Sequence, residues 1–568
     1  MDCSANATVD GYSAWNPGVG TEIPTQFRTL ETIFRPESAS VRADEIREFA
    51  ALTGLGEPEL TVFRPQRLVL HEIIVRVTAD IGVVEGEREE DFGWNFRRIA
   101  DTIRSAYVAP HMQAIESAYA DLREETAAAV RRILAETLFL PPAAAKSRSL
   151  WSRLTAPKKL PVEESPSERD YRIVSAYKTA GLECAAPLRR AVFRSLYRVL
   201  GAIAGKRGSV IADRDLLIKL VTQHVCNTYG SLSVGQMIAP LIDAAITQEG
   251  YARVANRAAP VLISLKGAAA AGKSSLRPMI KQIMRDQGIA ADGYATISPD
   301  VWRRLLLDYE ALGPARKYAG HLTSRELALI DGKLDRYIRD KASQDQAIPH
   351  FLVDRFRFDS FSSEKVGRVL HDTYAKYVDT MYMYFVVTPP EDTVERGWQR
   401  ALERGRYKAV EDFLGHGVEA YTGMPKIFFR WLAYPHPKYR YFFLDNRVPK
   451  GTFPKTIAFG DQREMTIYDP LAFINIERYQ KINVNARTPQ EVYPAAPLMT
   501  VAANSGFLKE CLRRLPRVNF TDAASGIVYL EVCNGVPEVL DAVTLARVLA
   551  DEDSAGAIGP ILSGTLTD

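Results

Sequence analysis

Cysteine is scarce in this chain, and its few copies stand apart. Cys3, Cys184, Cys226, Cys511 and Cys533 form no C-x-x-C pair, which excludes a zinc ribbon or a thioredoxin-type motif, and their odd number argues against a disulfide framework. Two hydrolase signatures are missing as well. His71-Glu72 is followed by Val75 where a metalloprotease helix needs its second histidine, and Gly230-Ser231-Leu232-Ser233-Val234-Gly235 only approximates the G-x-S-x-G elbow of serine hydrolases. No uninterrupted apolar run approaches a membrane span, and Met1-Asp2-Cys3-Ser4-Ala5-Asn6 lacks the basic and apolar regions of a secretory signal. The expected compartment is a reducing cytoplasm, without membrane association. Excess charge is absent too: the net charge is +3 with acids and bases interspersed, so nucleic acid is not an expected partner.

What remains is an ordinary globular composition, 46% hydrophobic and 25% charged, in a chain of 568 residues that has room for three or four domains with cores of their own. Residues 1–26 are polar, rich in small side chains and without a periodic apolar face, and are expected to form a flexible leader. Over 27–140 apolar residues recur at three- and four-residue spacing, notably in 96–103 and 111–138, which predicts a helical domain broken at Pro110. Pro141-Pro142 opens a stretch rich in Pro, Ser, Lys and Ala that reads as an exposed linker over 141–167. A second helical domain is expected over 168–256.

From Pro260 the pattern changes to short apolar runs, at 261–265, 294–297, 350–353, 382–387 and 441–444, alternating with helical segments. Strands spaced in this way imply crossover connections and a parallel sheet, hence a three-layer α/β domain over 258–485. The remainder, 486–568, reads as a small α+β segment in which 527–533, Asn534-Gly535 and 536–540 form a hairpin, with Pro537 placing its second arm at an edge.

The first of these runs leads into Gly267-Ala268-Ala269-Ala270-Ala271-Gly272-Lys273-Ser274-Ser275, and a helical pattern follows. This matches the phosphate-binding P-loop, G-x-x-x-x-G-K-S/T, in its strand-loop-helix setting. Its glycines let successive N–H groups point inward at phosphates, and the helix adds the positive end of its dipole. Lys273 is expected to reach the β- and γ-phosphates of ATP, and Ser274 to hold Mg²⁺. The bland alternative is an Ala-rich loop that happens to end in Gly-Lys-Ser.

The second run ends in Ser298-Pro299-Asp300. Parallel strands present ligands at their carboxyl ends, so Asp300 should emerge beside the loop, as a base for a substrate hydroxyl or as a helix N-cap. The third run ends in Asp354-Arg355, where the acid is a candidate Mg²⁺ ligand or a salt-bridge partner of Arg355 or Arg357. After the fourth run, Arg396, Arg400 and Arg404 fall at four-residue spacing, with Arg406 just beyond Gly405. Adjacent guanidiniums repel, and an anion would relieve them, as in the cationic lid that phosphoryl transfer requires. Glu395 and Glu403 could instead neutralise the row as a solvated face.

Together the loop at 267–274, Asp300, the Arg396 to Arg406 segment and Asp445-Asn446 after the fifth run resemble the zeta-toxin family of P-loop kinases, over roughly 258–485. The spacing from Ser274 to Asp300 and the following Trp302-Arg303-Arg304 are similar to bacterial effector kinases with a zeta core, at least one of which phosphorylates NAD on a ribose hydroxyl. The resemblance implies Mg-ATP-dependent phosphorylation of a hydroxyl on a small nucleotide-containing metabolite, of the UDP-N-acetylglucosamine or NAD class. By position it implies Lys273 and Ser274 on phosphate and metal, Asp300 as base, and Arg396, Arg400, Arg404 or Arg406 as lid. It further implies a toxin- or effector-like role, delivery to a host cell, and a cognate antitoxin or chaperone. Two departures stand out: Val353-Asp354-Arg355-Phe356 replaces the Gly-Thr pair common in zeta toxins, and Pro278 falls early in the loop's helix. An NTP-binding regulatory switch, or an interaction protein with a degenerate site, are the rival readings.

Overall fold

All five apolar runs become strands in the computed structural model, which describes residues 11–139, 165–355, 374–449 and 451–563. They are β1 (Val261–Gly267), β2 (Tyr294–Ile297), β3 (His350–Asp354), β4 (Thr380–Val387) and β5 (Lys438–Asp445). All of their pairings are parallel, in the order β5-β4-β1-β3-β2. β1 is buried along nearly its whole length, Ser264 and Lys266 included, as expected of a central parallel strand covered on both faces. On β5, Tyr439, Tyr441 and Phe443 alternate into the core, where Phe428 meets their rings at centroid distances of 6.4, 4.7 and 5.6 Å. Pairs of this kind add about 0.5–1.5 kcal/mol each beyond area burial.

The sheet does not stop where the α/β domain was expected to end. β6 (Lys455–Asp461) and β7 (Glu464–Ile467) continue it antiparallel, and β8 (Arg517–Thr521) pairs parallel with β7. β9 (Val528–Cys533) and β10 (Val536–Val539) complete a single ten-stranded sheet. The boundary at 485 and the separate α+β tail are therefore corrected. The edge of β7 would otherwise leave a row of unpaired N–H and C=O groups, and β8 covers it. The hairpin itself is as read: Asn534 and Gly535 have φ of 49° and 81°, suiting a tight primed turn, and the Pro537 strand lies at the end of the sheet.

The chain divides into two compact units. One comprises Met1–Phe27, Val75–Ile99 and Tyr251–Asp568 and contains the sheet; the other comprises Arg28–Ile74 and Ala100–Gly250. The second is helical, with Met112–Glu136, Pro166–Glu183, Pro187–Arg207, Arg214–Val225 and Ser231–Glu249 as its longer elements. Ser165 and Glu168 form a capping box, and Asp213 accepts from the Leu216 N–H, so two of these helices start on side-chain caps. Inside, Ser231 Oγ donates to the buried Glu72 carboxylate at 2.6 Å. The break expected at Pro110 is instead a distortion: a π-helical stretch Ile103–Val108 and a 3-10 turn Ala109–His111 carry the chain past the missing N–H.

Two sequence boundaries fall differently in space. Residues 75–99, expected inside the first helical domain, belong with the sheet, where Asp80 takes hydrogen bonds from Tyr337 and Lys341, both at 2.6 Å. The leader expected over 1–26 is docked in part, with Ala14, Trp15 and Pro17 buried while Gly20 to Glu22 stay exposed. Trp15 is buried beside Val394, Trp398 and Phe413, and its indole N–H donates to Glu395 at 2.9 Å. Burying one indole outweighs the low average hydrophobicity of its neighbours. The linker expected over 141–167 lies almost wholly outside the described residues, apart from the Ser165 cap and the start of helix Pro166–Glu183. Among the described residues no helix is long and apolar enough to cross a membrane.

Candidate functional site

Parallel register brings the carboxyl ends of β1, β3, β4 and β5 to one edge: Leu265 lies opposite Asp354, Gly267 opposite Val386, and Val387 opposite Asp445. The glycine loop leaves β1 at that edge. Ala270 and Gly272 take left-handed φ values of 59° and 95°, which curl the chain before helix Lys273–Asp286 begins. A Cβ on Gly272 would come within 2.2 Å of Asn446 Nδ2, so the second glycine is required by space as well as by backbone angle. The loop is pinned from two neighbouring strands. The Ala271 carbonyl accepts from Asn446 Nδ2 at 2.7 Å and from Thr388 Oγ1 at 3.0 Å, residues that directly follow β5 and β4. The helix runs on through Pro278, so the early proline does not stop it.

Lys273 curls back so that its Nζ donates to the carbonyls of Gly267 at 2.9 Å and Ala268 at 2.8 Å. Burial lowers its pKa, Arg400 and Arg406 add to that, and Asp354 and Asp300 oppose it. Ser274 Oγ donates to Asp354 Oδ2 at 3.1 Å. The salt bridge considered between Asp354 and Arg355 is not formed: Arg355 pairs with Asp331 at 3.1 Å and Asp335 at 2.8 Å, while Arg357 lies outside the described residues. Asp354 has Arg277 as its cation, at 3.7 Å.

Asp300 does not cap a helix. It is the second residue of the short 3-10 turn Pro299–Trp302, and its carboxylate is taken by Arg406 Nη1 at 2.7 Å and Arg303 Nε at 3.2 Å. Arg303 is itself fixed, since its Nη1 also donates to the Gly320 carbonyl at 2.5 Å and Thr323 Oγ1 at 2.7 Å. Enclosure in the cleft would raise the Asp300 pKa, but Arg406 and then Arg303 outweigh it and hold the carboxyl well below the usual range. Although 53% of the Asp300 side chain is exposed, that surface faces the cavity, where cations stand on several sides.

The arginines of helix Pro390–Arg404 take different partners from those their even spacing suggests. Arg396 donates to the Asn446 carbonyl at 2.7 Å; Arg404 pairs with Glu89 at 3.1 Å; Arg406, beyond the helix, holds Asp300. Arg400 lines the cavity with its buried Nε lacking a hydrogen-bond partner among the described residues. Burial, followed by Arg406, pushes its pKa down to about 10. Of the two acids that could neutralise the row, Glu395 accepts from the Trp15 indole at 2.9 Å, and both Glu395 and Glu403 border the cavity with the arginines. Nearby, Lys408 donates to His416 Nδ1, and burial with Lys408 lowers His416 to about 3, so it stays neutral.

Lys273, Ser274, Ser275, Asp300, Asp354, Arg396, Arg400, Arg404 and Arg406 all border one cavity of about 1090 Å³, as do Ala269, Ala270 and Gly272 of the loop. Gly267, Ala268 and Ala271 stand behind it, serving the loop through their backbone. Sequence reasoning missed Glu89, Lys408 and His416, which also border it. Among the described residues no group of three or more His, Cys, Asp or Glu could hold a metal ion. A cation at Ser274 and Asp354 would therefore need further oxygens from a phosphorylated ligand.

No protein-family model and no curated protein matches the sequence. Three crystal structures of the AvrRxo1-ORF1:AvrRxo1-ORF2 complex are similar to it in part. The complex with sulphate ions matches at 17% identity and TM-score 0.30, covering 39% of this chain and 65% of the other. The native complex matches at 15% and 0.27, covering 38% and 63%. The complex with ATP matches at 18% and 0.30, covering 40% and 66%. This chain thus spans less than two thirds of the length of each. Overlap this slight leaves function to the residues of the cavity.

Proposed function

We propose that this chain is a zeta-toxin-like P-loop kinase that transfers the γ-phosphate of ATP to a hydroxyl of a small nucleotide-containing metabolite. One observation carries the reading: Lys273, Ser274, Asp354, Asp300 and Arg400, drawn from four separate parts of the chain, border the same cavity. Each has a distinct task there. The loop's N–H groups and the helix start cradle the β- and γ-phosphates, and Lys273 exchanges its carbonyl partners for phosphate oxygens. Arg400, whose Nε has no hydrogen-bond acceptor among the described residues, disperses charge on the transferring group. Ser274 Oγ and Asp354 Oδ2 are hard oxygen donors suited to Mg²⁺, which when bound neutralises charge on the phosphates.

Asp300 acts on the acceptor. The acceptor oxygen attacks the γ-phosphorus, its proton passes to the Asp300 carboxylate, and the bond to the β-phosphate oxygen breaks to release ADP. Arg406 and Arg303 keep the carboxylate ionised and aimed, at the cost of basicity, so proton transfer comes late, as the acceptor oxygen turns acidic. Arg396, between the loop and the Asn446–Val448 carbonyls, lies where it would flank the nucleoside. In a cell such an enzyme would drain a shared metabolite, which favours a toxin- or effector-like role held in check by a cognate protein.

The test is to incubate the full chain with Mg-ATP and a panel of UDP-sugars, NAD and nucleosides, and to search by mass spectrometry for a gain of about 80 Da. A product that forms with wild type and not with Lys273→Ala supports the reading; no product from any member counts against it.

A further inference from the structure

An acidic strap of the sheet-containing unit reaches the same cavity. Residues 84–91 include Glu85, Glu87, Glu89, Glu90 and Asp91, and the first three each meet the helix that follows the loop. Glu85 Oε2 lies 3.5 Å from Arg277 Nε with both side chains almost sealed from solvent, and Glu87 Oε1 lies 2.8 Å from Lys281 Nζ. The strap then turns back towards the helix start. Arg277 Nη2 donates to the Glu89 carbonyl at 3.1 Å, Ser275 Oγ to Glu89 Oε2 at 3.0 Å, and Arg404 Nη1 to Glu89 Oε1 at 3.1 Å.

Two of these partners are groups that a nucleotide phosphate would claim. Ser275 is in the first turn of the helix, where free N–H groups and the dipole favour an anion, and Arg404 belongs to the cationic row above it. A carboxylate and a phosphate oxygen cannot both take Ser275 Oγ and the same guanidinium edge. We infer that Glu89 is a built-in anionic occupant of the phosphate site, which the nucleotide must displace, so that the strap 84–91 restrains the kinase until it is displaced. The Glu85–Arg277 pair, sealed from solvent, and the bond from Arg277 to the Glu89 carbonyl anchor the strap, so that only the Glu89 side chain need swing clear, giving up Ser275 and Arg404.

This inference rests on the cavity binding ATP, and its test separates the two. Calorimetry of the full chain with Mg-ATP compares wild type, Glu89→Gln, Glu89→Ser and Lys273→Ala, each checked for folding by circular dichroism. Competition predicts that both Glu89 variants bind ATP more tightly than wild type, by about fivefold or more, the lower end of typical coupling between sites. Unchanged or weaker binding in the Glu89 variants, while Lys273→Ala loses the binding that wild type shows, would overturn the restraint and leave the ATP site standing. Failure of both Glu89 variants to fold would make the carboxylate structural and also overturn it. Absence of ATP binding in wild type and both folded Glu89 variants would remove the nucleotide site itself.

Discussion

The hydroxyl of Ser274 donates to the carboxylate of Asp354 at 3.1 Å, tying the first turn of helix Lys273–Asp286 to the end of β3. Neighbouring parallel strands hand the two residues to one point, since β1 and β3 pair with Leu265 opposite Asp354. Oxygen donors so placed make a divalent cation dependent on both. Asp354→Asn should raise the Mg²⁺ concentration giving half-maximal transfer by about 10- to 100-fold. A magnesium titration of initial rates measures this, and an unshifted midpoint would return Asp354 to a purely structural role beside Arg277.

For Asp300 the expectation separates binding from chemistry. Its oxygens face Arg406 and Arg303 and cap nothing, so Asp300→Asn should leave ATP affinity within a few-fold while lowering product formation by about two to four orders of magnitude. Calorimetry and initial rates on the same preparation check both halves. A full rate in a destabilised variant would mean that Asp300 serves only to neutralise its arginines.

Arg400 and Arg396 should differ although they stand one helical turn apart. Arg400→Ala removes a guanidinium whose Nε has no acceptor among the described residues, and should lower kcat by about 10²- to 10³-fold with little change in KM for ATP. Arg396 is tied to the Asn446 and Val448 carbonyls, so Arg396→Ala should act mainly on KM. Equal effects on both constants in both variants would contradict the division of roles.

His350 offers a check on stability. The Val261 N–H donates to its Nδ1 at 2.9 Å, and burial, followed by Arg257, lowers its pKa from 6.5 to about 4. The unfolded chain takes up this proton near pH 6.5 and the folded chain only near 4, so stability is lost as pH falls through that window and is unaffected above it. His350→Asn keeps an acceptor but cannot titrate. Urea unfolding at pH 7.5 and 5 should show a smaller loss for the variant than for wild type, and equal losses would show that the ring is protonated in the fold.

Local signals made the strands, Lys273, Ser274 and Asp300 legible. β1 is a buried run that ends on a glycine, and the helix start follows at a fixed distance, so both structure and chemistry sit within a few residues. Asp300 needed one further step, the rule that parallel strands deliver ligands at their carboxyl ends. The arginine row was legible as a cationic face, but its partners were not, because Glu89 comes from a segment read as part of a helical domain. Glu89 and Ser275 are separated by 186 residues, and an acidic run such as 85–91 carries no mark that distinguishes a docked strap from a solvated turn. Long-range pairing also hid the true extent of the sheet, since β8 joins β7 across an intervening stretch of helices and loops. Trp15 was hidden by its polar neighbours, and it packs because one large ring outweighs them.

The most direct measurement follows the γ-phosphate itself. ATP labelled at that position is given to a slight excess of full chain with Mg²⁺ and a small-molecule extract, and the label is traced over a single turnover. The kinase reading predicts that the label leaves ATP and appears in an alkaline-phosphatase-sensitive small molecule, with none transferred by Lys273→Ala. Label recovered only as inorganic phosphate would contradict it in favour of an NTP-driven switch, and label remaining on ATP would contradict catalysis altogether.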